Sequence, residues 1–160
     1  MFKEGKDADI PAHAKTIAKI YDKFAKTVLD FSGDKVVSGL KSDFEKTLTP
    51  LLNSPANTAA TVGLAYEAAC VKYWINAQFG KVIPPPGLKS EISVVHTPHL
   101  AGPVAALITA SILNPSPDPV TKGTLWAAAF EKGVKTINVT ITGLDIVLNI
   151  PVTVGPLPVQ

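Results

Sequence analysis

The residues of this chain with the clearest capacity for chemistry are two histidines, His96 and His99, with Pro98 between them. Imidazole nitrogens are common zinc ligands, but a zinc site needs three or four ligands held together. Glu91 and Asp118 are possible further ligands, yet neither stands at a spacing that would bring it to the pair. Pro98 also disfavours a continuous helix across both imidazoles. We therefore predict no metal site and interpret the pair as loop residues between a strand and a helix.

Other patterns that carry catalysis or bind cofactors are missing from the sequence. It contains no Gly-x-Ser-x-Gly nucleophile motif, no Gly-x-Gly-x-x-Gly fingerprint and no Gly-Lys-Ser/Thr phosphate loop. Cys70 follows Ala68 and Ala69, which is typical of a small buried hydrophobic residue. His13 stands among the lysines of the first helix and is predicted to be exposed. We predict no catalytic residues, no cofactor and no enzymatic activity.

The amino-acid composition limits the classes of partner that this protein is expected to bind. All fifteen basic residues are lysine, and the formal net charge is +2. Because arginine is the preferred residue for bidentate contacts with phosphate and guanine, its absence argues against specific nucleic-acid binding. Residues 1–46 hold nine lysines and eight acidic residues, which leaves six lysines and five acids for the rest. A surface so poor in charge favours burial in an assembly.

Neither a signal peptide nor a membrane span is predicted. The first nine residues are charged and lack an apolar segment of the kind that a secretory signal contains. The longest apolar run, 100–113, is shorter than the roughly 20 residues that cross a bilayer. We therefore expect synthesis in a cytoplasm and no membrane partner.

Apolar periodicity and helix-capping residues predict about five helices in residues 1–133. They are expected to run from Asp9 to Ser32-Gly33, from about Asp34 to Leu48, from Ser54-Pro55 to about Phe79, from Thr97-Pro98 to Leu113, and from Asp118-Pro119 to Gly133. Pro50 is predicted to end or bend the second helix. A short strand is predicted within 88–95.

Two segments of the helical body resemble each other. Gly63 stands three residues before Tyr66, and Gly123 stands three residues before Trp126, each in an alanine-rich helix that follows a junction rich in proline and asparagine. A duplicated helix pair would explain the resemblance. Chance similarity between two capped junctions explains it nearly as well, so both interpretations stay open.

The last 27 residues change to a period of two, which is the pattern of half-buried strands. We predict two antiparallel strands that turn at Gly143, followed by an extended tail, 155–158, that carries prolines. The fold class is therefore α+β, with a mostly helical body over 1–133 and a C-terminal β-hairpin arm and tail over 134–160, together one structural domain.

An isolated two-stranded hairpin is marginal in water, so this one must dock on another surface. The sequence leaves open whether that surface belongs to the chain itself or to a neighbour. We predict that the apolar face of the hairpin makes assembly contacts and that deleting 134–160 abolishes assembly. The residues of this face are Ile137, Val139, Ile141, Ile146, Leu148 and Ile150.

The lysine- and alanine-rich helices (15–26 and 56–69) and the β arm (134–154), without an active site, resemble the small virion structural proteins of tailed bacteriophages. Neck, tail-completion, baseplate and capsid-decoration proteins are of this type. The resemblance implies a non-enzymatic subunit of a symmetric complex, located in the virion, whose partners are copies of itself or other virion proteins. The alternative is a helical domain that binds a small molecule between its third and fifth helices, or a metal at His96 and His99.

Overall fold

A computed structural model of the chain describes residues 9–38, 40–75, 77–80, 93–97, 102–116, 118–145 and 147–160. In this part of the chain the predicted α+β class and the count of five helices are confirmed. The helices are α1 (Asp9–Ala25), α2 (Lys41–Leu52), α3 (Ala59–Trp74), α4 (Pro103–Leu113) and α5 (Pro119–Val134). The strands are β1 (Val36–Ser38), β2 (Gln78–Phe79), β3 (Ser93–Thr97), β4 (Asn138–Leu144) and β5 (Pro151–Pro158).

Helices α1 and α3 run side by side in the same direction. His13 contacts Tyr66, and about two turns further along both helices Tyr73 donates a hydrogen bond to Asp22 at 2.9 Å. Helix α2 packs against both α1 and α3, while α4 packs between α3 and α5. The five helices therefore surround one core, and each of them contributes buried apolar side chains to it.

Aromatic residues fill the centre of that core. Trp74 Nε1 donates a hydrogen bond to Tyr21 Oη at 2.7 Å, and the rings of Tyr21 and Phe44 stack with centroids 5.0 Å apart. The Trp74 ring also stacks on Phe79. A buried indole N–H and a buried phenol oxygen both need hydrogen-bond partners, and here the two groups bond to each other. These aromatic residues consequently pack against one another in the core.

Helix α1 ends at Ala25, earlier than the predicted end at Ser32-Gly33. The apolar spacing that extends to Val28 and Phe31 is real, since Val28 is buried, but the backbone turns there. Asp30 accepts hydrogen bonds from two backbone N–H groups through its side chain, which offers the chain an alternative to the helix. The predicted boundary was wrong because periodicity alone does not register this competition.

The predicted second helix was also wrong at both ends. Residues from Val36 to Ser38 form β1, whereas α2 begins at Lys41 and continues past Pro50 to Leu52. Val37 points to solvent rather than into a helix interface. Pro50 is tolerated because it lies in the last turn of α2, where little of the helix remains to be disrupted.

Helix α3 is shorter than predicted at both ends. It starts after Thr58, whose hydroxyl and backbone form a reciprocal capping box with Thr61, rather than at Ser54-Pro55. It ends at Trp74, because Gln78–Phe79 pairs with β1 as an antiparallel strand. A long-range strand pair here overrides the local helical pattern.

The strand predicted within 88–95 overlaps β3, which pairs antiparallel with β4. Residues 88–92 lie outside the described residues. The fourth helix begins at Pro103 rather than at Thr97-Pro98, and Thr97 belongs to β3. The start of α5 after Asp118 is confirmed: this carboxylate accepts hydrogen bonds from the backbone N–H groups of Val120 and Thr121.

The C-terminal hairpin is confirmed, with a different turn. Strand β4 continues through Gly143 to Leu144, and β5 begins at Pro151, so the chain reverses in the segment between them. In the part of the sheet that the structure describes, the strand order is β3-β4-β5. The predicted tail is not separate, because 155–158 belongs to β5. Beyond it, Gln160 exchanges two backbone hydrogen bonds with Leu29.

The hairpin docks on its own chain. Ile137, Val139 and Ile141 are each 0% exposed and belong to the same apolar cluster as the helices. The question that the sequence left open is therefore answered for the inner face of β4: it covers the helical body. Within the described ranges, no helix has the length and apolar character needed to cross a membrane.

Candidate functional site

A groove of about 1370 Å³ lies between α1 and α5 and is called here the α1–α5 groove. Ile17, Ile20 and Phe24 lie along its α1 wall, at the spacing of one helical face. The predicted amphipathic stripe of α1 is thus divided: Tyr21 turns into the core, whereas its neighbours on either side line the groove. The apolar face of α1 therefore contributes side chains both to the core and to the open groove.

The α5 wall carries the two largest rings of that helix, Trp126 and Phe130. Tyr66 of α3 forms the floor, and its ring meets Trp126 edge to face with centroids 4.9 Å apart. Phe130 meets Tyr21 in the same manner at 5.1 Å. Trp126 and Phe130 are four residues apart on α5, so the two ring pairs follow one another along this helix and give the groove an aromatic lining.

Trp126 is held in place by contacts with Ser111 and Lys122. Its Nε1 donates a hydrogen bond to Ser111 Oγ of α4 at 3.1 Å, and the Lys122 ammonium lies 6.0 Å from its ring centroid. The hydrogen bond satisfies the indole N–H, so the rest of the ring presents an apolar surface. This wall of the groove is therefore pre-formed.

Gly123 is the residue that leaves the α5 wall open. A Cβ built at this position would meet no heavy atom within 4 Å, although the residue is in the interior of a helix. Glycine there costs helix stability relative to alanine without relieving any contact inside the chain. This exposed glycine leaves the backbone of α5 accessible at this point.

A polar pair stands at one end of the groove. His13 Nε2 and Tyr66 Oη are 2.6 Å apart and joined by a hydrogen bond. Burial and the nearby positive charge of Lys122 lower the pKa of His13 below 6.5. Burial also raises the pKa of the Tyr66 hydroxyl, so both groups are neutral near pH 7. The prediction that His13 is exposed is confirmed for the residue, although its Nε2 is tied to the groove floor.

The second prominent feature is the apolar turn between β4 and β5, Val147 to Ile150, called here the hairpin tip. Val147, Leu148 and Ile150 are 86%, 66% and 50% exposed. Asp145 Oδ1 accepts hydrogen bonds from the backbone N–H groups of Val147 and Leu148 at 2.8 and 2.7 Å, and these bonds lower the pKa of Asp145. The tip is consequently an ordered turn that presents apolar side chains to solvent.

The predicted assembly residues are divided by this structure. Ile137, Val139 and Ile141 are fully buried in the chain's own core, so this fold offers no surface of theirs to a second chain. Ile146 lies outside the described residues. Leu148 and Ile150 are exposed in the hairpin tip, where contact with another chain stays a prediction.

The predicted chemistry residues are not brought together. His96 is in β3, paired with Val139, while His99 and Glu91 lie outside the described residues. Asp118 caps α5. Among the residues that the structure describes, no three or more His, Cys, Asp or Glu side chains are grouped closely enough to hold a metal ion.

Cys70 is buried, as predicted. Burial raises the pKa of its thiol, which keeps the sulfur protonated and unreactive. Of the aromatic residues from α3 to α5, Tyr66, Trp126 and Phe130 line the groove. The others, Tyr73, Trp74 and Phe79, lie in the core.

The sequence did not disclose the α1–α5 groove, because its two walls are more than ninety residues apart in the chain. Gly123 was noticed only as part of a repeat. A signal for the hairpin tip was present: Asp145 and Asn149, residue types that favour turns, stand before and within the segment that holds Val147, Leu148 and Ile150. The alternation pattern placed them in a strand instead.

Comparisons of the chain with protein-family models, with curated proteins and with solved structures find no match.

Proposed function

We propose that this protein is a non-enzymatic assembly subunit that associates head to tail, the hairpin tip of one copy entering the α1–α5 groove of the next. The observation that carries the proposal is that the chain exposes an ordered apolar projection and, elsewhere on its surface, an open aromatic groove. A projection and a groove on different faces of one molecule make a heterologous contact, which generates a ring or a filament.

The two surfaces are chemically matched. The tip offers the aliphatic side chains of Val147, Leu148 and Ile150, and the groove offers the rings of Trp126 and Phe130. Aliphatic groups against aromatic faces form the well-packed centre of many protein interfaces. Gly123 gives the incoming side chains access to the helix backbone.

The free energies expected for this contact favour a closed assembly in which each copy makes several contacts. Burying the exposed parts of three such side chains contributes about 3–6 kcal/mol. Association costs about 4–15 kcal/mol in lost translational and rotational freedom. A single tip-in-groove contact is therefore weak, whereas closure of a ring makes the last contact intramolecular and strengthens the whole assembly.

The hairpin tip is a better docking element than the edge of the sheet. Strand β5 is at the edge of the described three-stranded sheet, and an edge strand can pair with another chain. Three of its eight residues, Pro151, Pro156 and Pro158, have no N–H to donate to such a pair. The prolines weaken strand addition and leave the apolar tip as the projecting surface.

The setting that we propose is a bacteriophage particle, with copies of the chain or other virion proteins as partners and with synthesis in the host cytoplasm. This part of the proposal rests only on the resemblance of the sequence to small virion structural proteins. The assembly activity itself does not depend on it.

Two single variants and their mixture test the contact. Leu148→Glu places a charge in the hairpin tip and leaves the groove intact, while Gly123→Leu fills the groove and leaves the tip intact. We expect the wild type to gain mass with concentration in sedimentation equilibrium and each variant to stay monomeric. Mixed together, the variants should form a one-to-one dimer, since each retains one working surface.

Leu64→Glu on α3 is the matched control, because Leu64 is 59% exposed and does not line the groove. It should assemble like the wild type. The proposal is wrong if the wild type remains monomeric up to about 1 mM, where a contact of about −4 kcal/mol would be half-saturated. It is also wrong if Leu148→Glu assembles normally.

A second candidate function is binding of an apolar small molecule with a polar end. The observation that favours it is that His13, Tyr66 and Lys122 lie together in a mainly apolar groove, whose other polar lining residues are Asp9, Ser54, Asn57 and Glu131. Decanoate is a suitable probe, with the fluorescence of Trp126 as readout. A saturable change in fluorescence on addition of decanoate would favour small-molecule binding over assembly, provided that the protein stays monomeric. The Gly123→Leu variant should not show this change.

A further inference from the structure

A titratable pair lies at the floor of the α1–α5 groove. His13 of α1 and Tyr66 of α3 are joined by a hydrogen bond of 2.6 Å, and their rings meet edge to face. The Tyr66 ring in turn meets Trp126 edge to face, with centroids 4.9 Å apart. His13 is therefore one side chain removed from the ring that the hairpin tip would contact, and it lines the groove itself.

The hydrogen bond of this pair depends on the charge of the imidazole. While His13 is neutral, Tyr66 Oη can donate its hydrogen to Nε2. In the charged imidazolium Nε2 carries a hydrogen and can only donate, so the hydroxyl hydrogen of Tyr66 needs another acceptor. Water supplies that acceptor in an open groove, whereas an apolar occupant does not. Protonation of His13 therefore costs more free energy when apolar side chains fill the groove.

The charged groups around His13 add to that cost. Burial and then the positive charge of Lys122 on α5 lower the pKa of His13. The carboxylates among the described groove residues are Asp9 on α1 and Glu131 on α5, and Glu131 forms an ion pair with Lys135 at 2.6 Å. The described groove residues of α2, α3, α4 and the loop between α2 and α3 carry no charge. Exclusion of water strengthens the repulsion between a charged His13 and Lys122.

We propose that protonation of His13 releases the assembly contact, so that the hairpin tip occupies the groove at neutral pH and leaves it at acid pH. The inference rests on the proposed function, because the tip is the apolar occupant that excludes water from His13. By linkage, an occupant that disfavours a bound proton binds less tightly as pH falls through the pKa of the free subunit. An anionic occupant would do the opposite, since a second positive charge beside Lys122 would attract it.

The expected pH window follows from the titratable groups of the two surfaces. The pKa of His13 lies below 6.5, so the free subunit takes up this proton below that pH. Hydrogen bonds lower the pKa values of Asp145 in the hairpin tip and of Glu131 in the groove, so both carboxylates stay ionised there. We expect the association constant to fall by about threefold or more between pH 7.5 and pH 5.5.

The test measures association of the full chain by sedimentation equilibrium at the two pH values and at one ionic strength. The wild type should associate less tightly at pH 5.5. His13→Gln cannot be protonated and keeps an amide that can hydrogen-bond to Tyr66, so its association constant should be the same at both pH values. His96→Gln is the matched control, because His96 belongs to β3, and it should keep the wild-type response.

NMR titration of the imidazole gives a second readout. The pKa of His13 should be lower in the assembled wild type than in the Leu148→Glu variant, which is expected to stay monomeric. Wild-type association that is equally tight or tighter at pH 5.5 overturns this inference and leaves the tip-in-groove contact standing. A full pH response in His13→Gln, or a His13 pKa that assembly does not lower, does the same. A wild type that is monomeric at both pH values overturns this inference and the proposed function together.

Discussion

Gly63 and Gly123 occupy matching places in α3 and α5, each three residues before a large aromatic ring, yet they do opposite things. A Cβ at Gly63 would lie 2.5 Å from Ala105 O and would also collide with the Thr109 hydroxyl, so α4 packs directly on the backbone of α3. A Cβ at Gly123 would meet nothing. The same residue type thus permits internal packing in one helix and keeps a groove open in the other.

Alanine at the two positions should change stability in opposite directions. We expect Gly123→Ala to raise the free energy of unfolding by about 0.5–1 kcal/mol through helix propensity. Gly63→Ala should lower it by about 1–3 kcal/mol because the core is overpacked. Urea denaturation followed by circular dichroism measures both, and a stabilised Gly63→Ala would show that α4 does not approach α3 as described.

The pKa of His13 should depend on Lys122. Lys122→Met removes a positive charge, so the pKa of His13 should rise towards 6.5, whereas Lys132→Met on the exposed face of α5 should leave it unchanged. Because the folded-state pKa is the lower one, the contribution of His13 to stability is fully present above pH 6.5 and is lost as pH falls through the folded value. NMR titration of the imidazole tests this, and no change in Lys122→Met would contradict it.

At the scale of elements, the hairpin combines two roles that the alternation pattern treated as one. The inner face of β4 belongs to the core, while the turn that follows projects into solvent. Strand pairing from Ile141↔Val154 to Leu144↔Pro151 holds the turn at a fixed place relative to that core. The element therefore supplies both packing and an exposed apolar surface.

Alanine variants separate these roles. Ile141→Ala should lower the free energy of unfolding by about 2–5 kcal/mol, as expected for a fully buried side chain. Leu148→Ala should change it by no more than about 0.5 kcal/mol. Thermal and urea denaturation of the two variants give the comparison, and equal effects would mean that the hairpin tip is packed rather than exposed.

At the scale of the molecule, residues 134–160 cannot be regarded as a detachable arm. They contribute Val134, Ile137 and Val159 to the common core, beside the β4 residues already discussed. Gln160 also pairs with Leu29 at the far end of α1. Helical body and hairpin consequently depend on each other for stability.

Deleting 134–160 should therefore abolish cooperative folding and not only assembly. We expect the truncated chain to lose its thermal transition by circular dichroism and to expose apolar surface to a dye such as ANS. A truncated chain that unfolds with the wild-type Tm would show that the helical body is independent. Assembly is better tested by Leu148→Glu, which leaves the core unchanged.

Much of the fold could be predicted locally. The amphipathic face of α1, the start of α5 at Asp118 and the inward face of β4 were all visible, because side-chain periodicity and helix capping act within a few residues. The ends of α1 and α3 could not be predicted in this way. One depends on the side chain of Asp30, and the other on a strand pair between β1 and β2.

By itself, then, the sequence determined the elements, their apolar faces and the lack of a recognisable catalytic motif. Only the tertiary structure decided whose surface the hairpin covers, because Ile137 is buried in the same core as α1, which lies more than a hundred residues away in the chain. The α1–α5 groove is also a long-range feature, because α1 and α5 form it together and no local pattern of residue types records their distance in the fold.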